Sequence, residues 1–366
     1  MAGSGIRIGG KGSLQSVQVL RAVAALSVLF AHLWPTLLYF GVTDAIPNFI
    51  FGASGVDLFF VISGFIMVYT AEPLFGQPGG SRKFLLRRII RIVPMYWGLT
   101  FISLIGRKGM PTQADLTWAN IIGSYLFIPT TRPSGDTTPA LSVGWTLNYE
   151  MFFYVLFSLA VFLPRRQAVV ALSLFLLALV GIPMVFPVAL TTPWSVWTSP
   201  FLCEFVFGMW IGAAYREGWR IPPIVCALVM AAGLILMLYT YKTDFLVVSR
   251  AMGWGLGSAC IVAGFVLAAS TMKVPRVLQP LVVVGDASYA LYLVHTMVPP
   301  ALFLLRVPRV VNPVDRPIVY CIIVVIAALI AALVINAIDQ KVRAALFEWI
   351  GKAFPPKKTY SPKSAA

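Results

Sequence analysis

Ten apolar runs, separated by short polar segments, dominate the pattern of the chain. A bilayer core requires about 20 apolar residues per helix, with a range of about 17 to 25. The pattern therefore predicts an all-α integral membrane protein, a bundle of about ten transmembrane helices. The predicted spans are 17–35, 49–71, 84–105, 141–163, 168–188, 196–215, 221–241, 251–269, 281–305 and 317–337. The sixth is the least regular, because Pro200 and Glu204 lie inside it.

Composition excludes a soluble enzyme. Hydrophobic residues make up 59% of the chain and charged residues 11%, and the mean hydropathy is +0.86. So few charges cannot cover a globular surface, and most of the exterior must face lipid. The net charge of +15 does not indicate nucleic acid, because the basic residues cluster in short loops between apolar runs, the pattern of membrane topology.

Those basic residues predict the orientation. With the N-terminus inside, 19 of the 28 Lys and Arg residues lie on the cytoplasmic side, which predicts that both termini are cytoplasmic. The start of the chain shows no cleavable signal peptide, so the first helix is expected to remain. Residues 1–338 are predicted to form one transmembrane domain, and residues 339–366 a basic cytoplasmic tail that contacts anionic lipid.

Ionisable residues inside apolar spans are the first functional candidates, because they are costly in hydrocarbon. Arg21 and His32 are eleven residues apart, close to three helical turns, and so share one helix face, about 16 Å apart along the axis. That face would line a channel. The alternative is a snorkelling arginine and an interfacial histidine, each common at helix ends.

Three further titratable groups, Asp57, Glu150 and His295, have depths similar to that of His32, and the four are predicted to converge in the outer half of the bundle. A carboxylate beside an imidazole raises its basicity and fixes its tautomer for general-base work. The alternative is a set of interhelical polar contacts that hold the bundle together.

Arg88 and Arg91 lie one helical turn apart at the predicted cytoplasmic mouth of the third span. Two guanidinium groups in this position suit phosphate oxygens. The alternative is a topological charge cluster that contacts lipid headgroups. His, Cys and carboxylate residues show no metal-ligand spacing, so no metal is expected.

Five fragments together resemble the membrane-bound acyltransferase family 3, in its exopolysaccharide O-acetyltransferase branch. They are LQSVQVLRAVAALSVLFAH, GVDLFFVISGFIM, FLLRRIIRIVPMYW, LSVGWTLNYEMFFY and GDASYALYLVHTMV, in family order over nearly the whole chain. The first fragment carries Arg21, ten residues and then His32.

The resemblance implies a multi-pass enzyme of the bacterial inner membrane that transfers an acyl group, usually acetyl, from cytosolic acyl-CoA to a sugar hydroxyl. The acceptor would be an exopolysaccharide or its lipid-linked precursor, with the polysaccharide synthesis machinery as a further partner and no permanently bound cofactor. The implied catalytic residues are His32 as the base, Glu150, Arg21 and Asp57. Arg88 and Arg91 would contact the phosphates of CoA. The residues that would line the cavity are Trp145, Tyr149, Tyr292 and His295.

The predicted topology suggests how this chemistry would be arranged. The nucleotide of acyl-CoA would stay at Arg88 and Arg91, and its pantetheine arm would pass Arg21 and bring the thioester to His32, in a reaction that crosses the membrane. Direct transfer and a covalent acyl-histidine are both compatible with the sequence. The rival hypotheses are a transporter or flippase of a lipid-linked glycan and a non-catalytic scaffold for a polysaccharide synthase.

Overall fold

The fold of the chain, seen in a computed structural model, is helical throughout the described residues. These are residues 11–106, 116–186, 190–243, 250–269 and 274–353. Within those ranges the only extended pairing is an isolated parallel bridge between Ile221 and Ala268. The prediction of an all-α fold is confirmed.

Sixteen α-helices follow one another in the described residues. They are α1 Lys11–Ala31, α2 Leu33–Leu38, α3 Gly55–Ala71, α4 Gly80–Gly106, α5 Trp118–Leu126, α6 Trp145–Ala160, α7 Arg165–Val185, α8 Trp194–Trp197, α9 Leu202–Arg216, α10 Pro223–Lys242, α11 Leu256–Leu267, α12 Gln279–Asp286, α13 Ser288–Val294, α14 Val298–Leu304, α15 Val307–Val310 and α16 Pro317–Ala353. A π-helical turn, Ala251–Gly255, leads directly into α11.

Every predicted span has a helical counterpart, although not every counterpart is long enough to cross a bilayer alone. Seven helical segments in the described residues have the length and apolar composition of a membrane span, and a pair that is bent by 57°, Arg276–Asp286 with Ser288–Leu304, makes up to eight. The fourth and eighth predicted spans correspond to the shorter α6 and α11. The count of ten crossings stays a prediction.

The last helix continues beyond the end of the predicted span. It runs from Pro317 to Ala353, and Arg343 forms an ion pair of 2.6 Å with Asp339 inside it. The first part of the predicted tail is thus helical. Residues 354–366 lie outside the described residues.

Close packing of α3 against α9 sets the register of the bundle centre. A Cβ added at Gly64 would collide with the carbonyl oxygen of Phe205, and one at Gly208 would collide with that of Val61. The absence of side chains at these two glycines lets the backbones touch, as small residues do at membrane helix interfaces. The two helices run parallel in this register.

Charged residues gather where α3 ends. Glu72 binds Arg165 at 2.9 Å and lies 4.0 Å from Arg216, and Arg216 also donates to the carbonyl oxygen of Tyr69. These ends of α3, α7 and α9 therefore lie together, as the predicted alternation of helix directions requires. The orientation of this end toward the cytoplasm stays a prediction.

Candidate functional site

A cavity of about 220 Å³ lies between α1, α3, α4, α6 and α13. Three guanidinium groups and one carboxylate face it, which gives it an excess of positive charge. Such a cavity suits an anionic or strongly polar ligand. Its polar lining consists of Gln18, Arg21, Ser63, Thr70, Arg88, Arg91, Thr146, Glu150, Tyr154, Tyr289 and Tyr292. We call it the arginine cavity.

Arg88 is held at the wall of the arginine cavity by α3 and α6. It donates to Thr70 Oγ1 at 2.9 Å, and its guanidinium carbon lies 5.9 Å from the ring centroid of Tyr154. Its Nε is buried and has no hydrogen-bond partner in the described structure. A buried donor without a partner is costly, and a ligand that supplies an acceptor would satisfy it.

Glu150 supplies the carboxylate of the arginine cavity. Its Oε1 accepts hydrogen bonds from Ser63 Oγ at 3.0 Å and from the hydroxyl of Tyr154, one helical turn along α6. The carboxylate also lies within electrostatic range of Arg21 and Arg88. Glu150 thus partly neutralises the arginines and has its orientation fixed by two hydroxyl groups.

The only two histidines of the chain lie together, each at a point where the regular α-helical hydrogen bonding is interrupted. His32 separates α1 from α2, and His295 begins a single turn of 3-10 helix, His295–Met297, between α13 and α14. The two imidazole rings meet edge to face, with ring centroids 4.8 Å apart. The predicted proximity of His32 and His295 is therefore present in the structure.

A second cavity, of about 260 Å³, contains this histidine pair. Its walls are mostly apolar and aromatic. They consist of Leu29, His32, Leu33, Pro35, Thr36, Tyr39, Phe40, His295, Thr296, Pro299, Pro300, Phe303 and Val324. We call it the histidine cavity.

Hydrogen bonding fixes the same tautomer in both imidazoles. Nδ1 of His32 lies 2.8 Å from the carbonyl oxygen of Val28, and Nδ1 of His295 lies 3.2 Å from that of Leu291. A carbonyl oxygen only accepts, so each Nδ1 carries the proton and each Nε2 presents a lone pair. His32 is half-buried and open to its cavity, whereas His295 is 2% exposed. His32 is thus the accessible base of the pair.

Tyr292 lies between the two cavities. It lines the arginine cavity, and its ring centroid is 5.9 Å from that of His295 in the histidine cavity. Its hydroxyl accepts from Thr146 Oγ1 at 3.0 Å and donates to the carbonyl oxygen of Val143 at 3.1 Å. Among the residues that the structure describes, none lines both cavities.

The loop that precedes α6 is ordered by a separate polar network. Arg132 donates to the carbonyl oxygens of Thr138 and Pro139, each at 2.6 Å. Hydrogen bonds from Thr138 and Ser134 lower the pKa of Asp136 in this loop to about 2. Asp136 is therefore ionised at neutral pH, and the loop leads in a defined conformation to Val143 and α6.

Asp57 has a different environment from the one predicted. It forms a two-pronged ion pair with Arg250, at 2.8 and 3.1 Å, and it is fully buried beside Glu204 of α9. It lines neither cavity. The Arg250 guanidinium is packed between the rings of Phe201 and Trp254. The ion pair joins α3 to the π-helical turn before α11, which is the interhelical role that sequence analysis set beside a catalytic one.

The four groups expected to converge therefore divide into three sets. His32 and His295 share one cavity, Glu150 lies with the arginines in the other, and Asp57 pairs with Arg250. Arg21 and His32 also line different cavities, although both lie in the same helical span, Gln15–Leu38.

Trp145 and Tyr149 pack away from both cavities. Their ring centroids lie 5.9 Å apart, and both rings contact Phe201, the residue that also covers Arg250. Of the aromatic residues predicted to line the cavity, Tyr292 does so. No group of three His, Cys, Asp or Glu side chains that could hold a metal ion occurs in the described part of the chain.

Several polar residues of the site were not identified from sequence. Ser63, Thr70 and Tyr154 are common residues in apolar spans, and nothing in their types marks them. Of these three residues, only Tyr154 could have been identified from the sequence, because it lies four residues after Glu150 and hence on the same helix face. Arg250 directly precedes the eighth predicted span, and nothing in the sequence marks it as the partner of Asp57.

A bundle of apolar helices with a histidine pair and an arginine-lined cavity defines a polytopic membrane protein with an internal polar site. Residues 14–336 match the family model described as acyltransferase domain, acyltransferase family 3. The match covers most of the chain, so the chain belongs to this acyltransferase family. The resemblance inferred from the five sequence fragments is confirmed.

Three curated relatives are similar over most of their length. The exopolysaccharide production protein ExoZ of Rhizobium meliloti is 35% identical over 256 residues, which is 68% of this chain and 77% of that relative. The acyltransferase MdmB of Streptomyces mycarofaciens is 25% identical over 320 residues, 78% of this chain and 79% of that relative. Nodulation protein 10 of Rhizobium leguminosarum bv. viciae is 25% identical over 314 residues, which is 78% of this chain and 83% of that relative. No solved structure matches the chain significantly.

Proposed function

We propose that this protein is an acyl-CoA-dependent O-acyltransferase that transfers an acyl group, usually acetyl, to a sugar hydroxyl of an exopolysaccharide or of its lipid-linked precursor. One observation carries the proposal. The buried Tyr292 lines the arginine cavity, and its ring contacts a histidine pair whose Nδ1 atoms both face carbonyl oxygens in the histidine cavity. Family membership and the relative named for exopolysaccharide production support the same conclusion.

The arginine cavity fits the donor. Arg88 and Arg91 line it from α4, where basic residues concentrate near the start of the helix, and Arg21 lines it from α1. Guanidinium groups bind phosphate oxygens with two parallel hydrogen bonds. In this proposal the phosphates of CoA bind at Arg88 and Arg91 from the cytoplasm, and the pantetheine arm enters the cavity.

His32 is suited to act as the general base. Its Nε2 has a lone pair directed away from the Val28 carbonyl oxygen, so it can take the proton of a sugar hydroxyl. The sugar oxygen forms a bond to the thioester carbonyl carbon, the carbon–sulfur bond breaks, and the thiolate receives the proton from His32. The products are the sugar ester and CoA thiol, and the base is regenerated.

The histidine cavity would receive the acceptor. Tyr39, Phe40 and Phe303 line it around His32. Aromatic rings and a hydrogen-bonding imidazole suit a sugar, which has both apolar and hydroxylated faces. The glycan would thus approach from the side of the bundle opposite the arginines, in the inner membrane of a bacterium.

The test compares three membrane preparations. One comes from cells that lack the gene, one from cells that express the wild-type protein, and one from cells that express the His32→Ala variant. Acetyl-CoA labelled in the acetyl group is added, and the extracted polysaccharide is examined by NMR and by alkali release of label. Only wild-type membranes are expected to form alkali-labile O-acetyl groups on the glycan.

Two results would contradict the proposal. If the glycan receives no label from wild-type membranes while the amount of surface polysaccharide still depends on the gene, the protein is a transporter, a flippase or a non-catalytic scaffold and not an acyltransferase. If the His32→Ala variant transfers label as the wild type does, the histidine pair is not the reaction centre.

A further inference from the structure

Two cavities with no common lining residue pose a geometric problem. The arginine cavity holds the groups that suit acyl-CoA, and the histidine cavity holds the base. A reacting carbonyl must come within about 3 to 3.5 Å of its nucleophile. A thioester that enters from the arginine side therefore has to pass whatever separates the two cavities.

Tyr292 occupies this position. It is 7% exposed, it lines the arginine cavity, and its ring contacts His295, which in turn contacts His32. Phe59, whose ring centroid lies 5.9 Å from that of Tyr292, also lines the arginine cavity. Among the described residues that line the arginine cavity, Tyr292 is thus the one whose aromatic ring contacts the histidine pair.

The closed position is maintained by two neutral hydrogen bonds, from Thr146 Oγ1 and to the Val143 carbonyl oxygen. Both partners belong to the segment that begins α6. Tyr292 belongs to α13, a helix of seven residues that ends at the 3-10 turn starting with His295. A short helix beside a break is a site where a small rearrangement can move a side chain.

We infer that Tyr292 is the gate between the donor and acceptor cavities, held closed by Thr146 and opened when the acyl-pantetheine arm enters. The inference rests on the proposed function. A closed gate keeps water in the histidine cavity away from the thioester until the donor is in place. Tyr292 is a positioning residue here, because it controls access and does not take part in the bond changes.

The gate predicts a specific failure when it is removed. Water would then replace the sugar hydroxyl, so that an oxygen–carbon bond forms, the carbon–sulfur bond breaks, and the products are the carboxylic acid and CoA thiol. Hydrolysis of acetyl-CoA without an acceptor should therefore rise relative to transfer. A purely structural role would lower both rates together.

The experiment measures both rates for each variant. Hydrolysis is measured with purified protein in nanodiscs that receives labelled acetyl-CoA in buffer without an acceptor. Transfer is measured in membranes that contain the glycan. Tyr292→Ala should raise the ratio of hydrolysis to transfer by about tenfold or more. Tyr292→Phe removes both hydrogen bonds and Thr146→Val removes one of them, so each should raise the ratio by a smaller factor than Tyr292→Ala. The combination should raise the ratio no further than Tyr292→Phe alone.

Two controls make the result specific. Tyr69→Phe removes a phenol hydroxyl from a buried tyrosine of α3 that lines neither cavity, so the ratio should equal that of the wild type. The double variant Tyr292→Ala, His32→Ala should lose the extra hydrolysis, because the water would lack its base.

An unchanged ratio in Tyr292→Ala would overturn the gate while the proposed function stands. If Tyr292→Ala fails to fold, the same conclusion follows from unchanged ratios in Tyr292→Phe and Thr146→Val. A wild-type protein that neither transfers nor hydrolyses acetyl-CoA would overturn both the gate and the proposed function.

Discussion

The imidazole of His32 meets the imidazole of His295 edge to face, with ring centroids 4.8 Å apart, and both Nδ1 atoms are bonded to carbonyl oxygens of their own helices. His295 lines the same cavity but is only 2% exposed, so it supports the ring of His32 and is less open to a substrate than His32 is. The two histidines therefore have unequal roles in the same site.

This inequality predicts the order of two substitutions. His32→Ala should lower acyl transfer by about 100- to 10,000-fold, the usual contribution of a general base. His295→Ala should lower it less, because the base remains and only its support is lost. Labelled acetyl transfer in membranes with matched protein amounts measures both. The reverse order would make His295 the base.

Loss of an arginine at the donor cavity should weaken donor binding. Arg88→Ala or Arg91→Ala should cost about 1.5 to 3 kcal/mol per charged hydrogen bond, or roughly 10- to 150-fold in acyl-CoA affinity. Titration of the purified protein with acetyl-CoA measures the affinity. Arg87→Ala is the matched control, since Arg87 is adjacent in sequence but does not line the cavity. Equal affinities in all four proteins would leave the arginines as topological anchors.

Glu150→Gln should be nearly inactive, with a loss of about 100-fold or more. The amide keeps the shape of the side chain and can still accept from Ser63, but it no longer offsets the charge of the neighbouring arginines. Ser63→Ala, which removes one neutral hydrogen bond from the same carboxylate, should lose only a few-fold. Full activity in Glu150→Gln would reduce Glu150 to a packing role.

Sequence predicted the chemistry of individual residues better than their partners. The helical spans and the arginine turn in α4 follow from periodicity and residue type, because these are local properties. The separation of Glu150 from His32 does not, since it depends on how helices that are distant in sequence pack against one another.

Arg250 is a second residue whose partner could not be predicted from the sequence. At the end of an apolar run, an arginine is indistinguishable in sequence from a topological charge, yet its guanidinium reaches Asp57 in the interior. Ion pairs between spans are set by helix register, and the register of α3 against α9 rests on two glycines whose pairing no single sequence displays.

The Asp57–Arg250 pair should govern stability more than turnover. Asp57→Asn leaves a largely buried guanidinium without its anion, and the free energy of unfolding should fall by about 3 to 5 kcal/mol. The transition temperature in nanodiscs measures this, and activity per folded molecule should be largely kept. The apolar pair Asp57→Leu, Arg250→Met should recover much of the stability. If the Asp57→Asn variant is as stable as the wild type but inactive, Asp57 is a catalytic residue and its role is not mainly structural.

The central claim is that donor and acceptor approach His32 from opposite faces of the protein. Proteoliposomes in which the protein has a single orientation test this claim, and protease accessibility of the C-terminal segment checks the orientation. Labelled acetyl-CoA is supplied only on the face of Arg88. The lipid-linked or polymeric glycan is supplied only on the opposite face. Labelled, alkali-labile glycan should form with wild-type protein and not with His32→Ala. Product that forms only when donor and acceptor share one side would contradict transfer across the membrane.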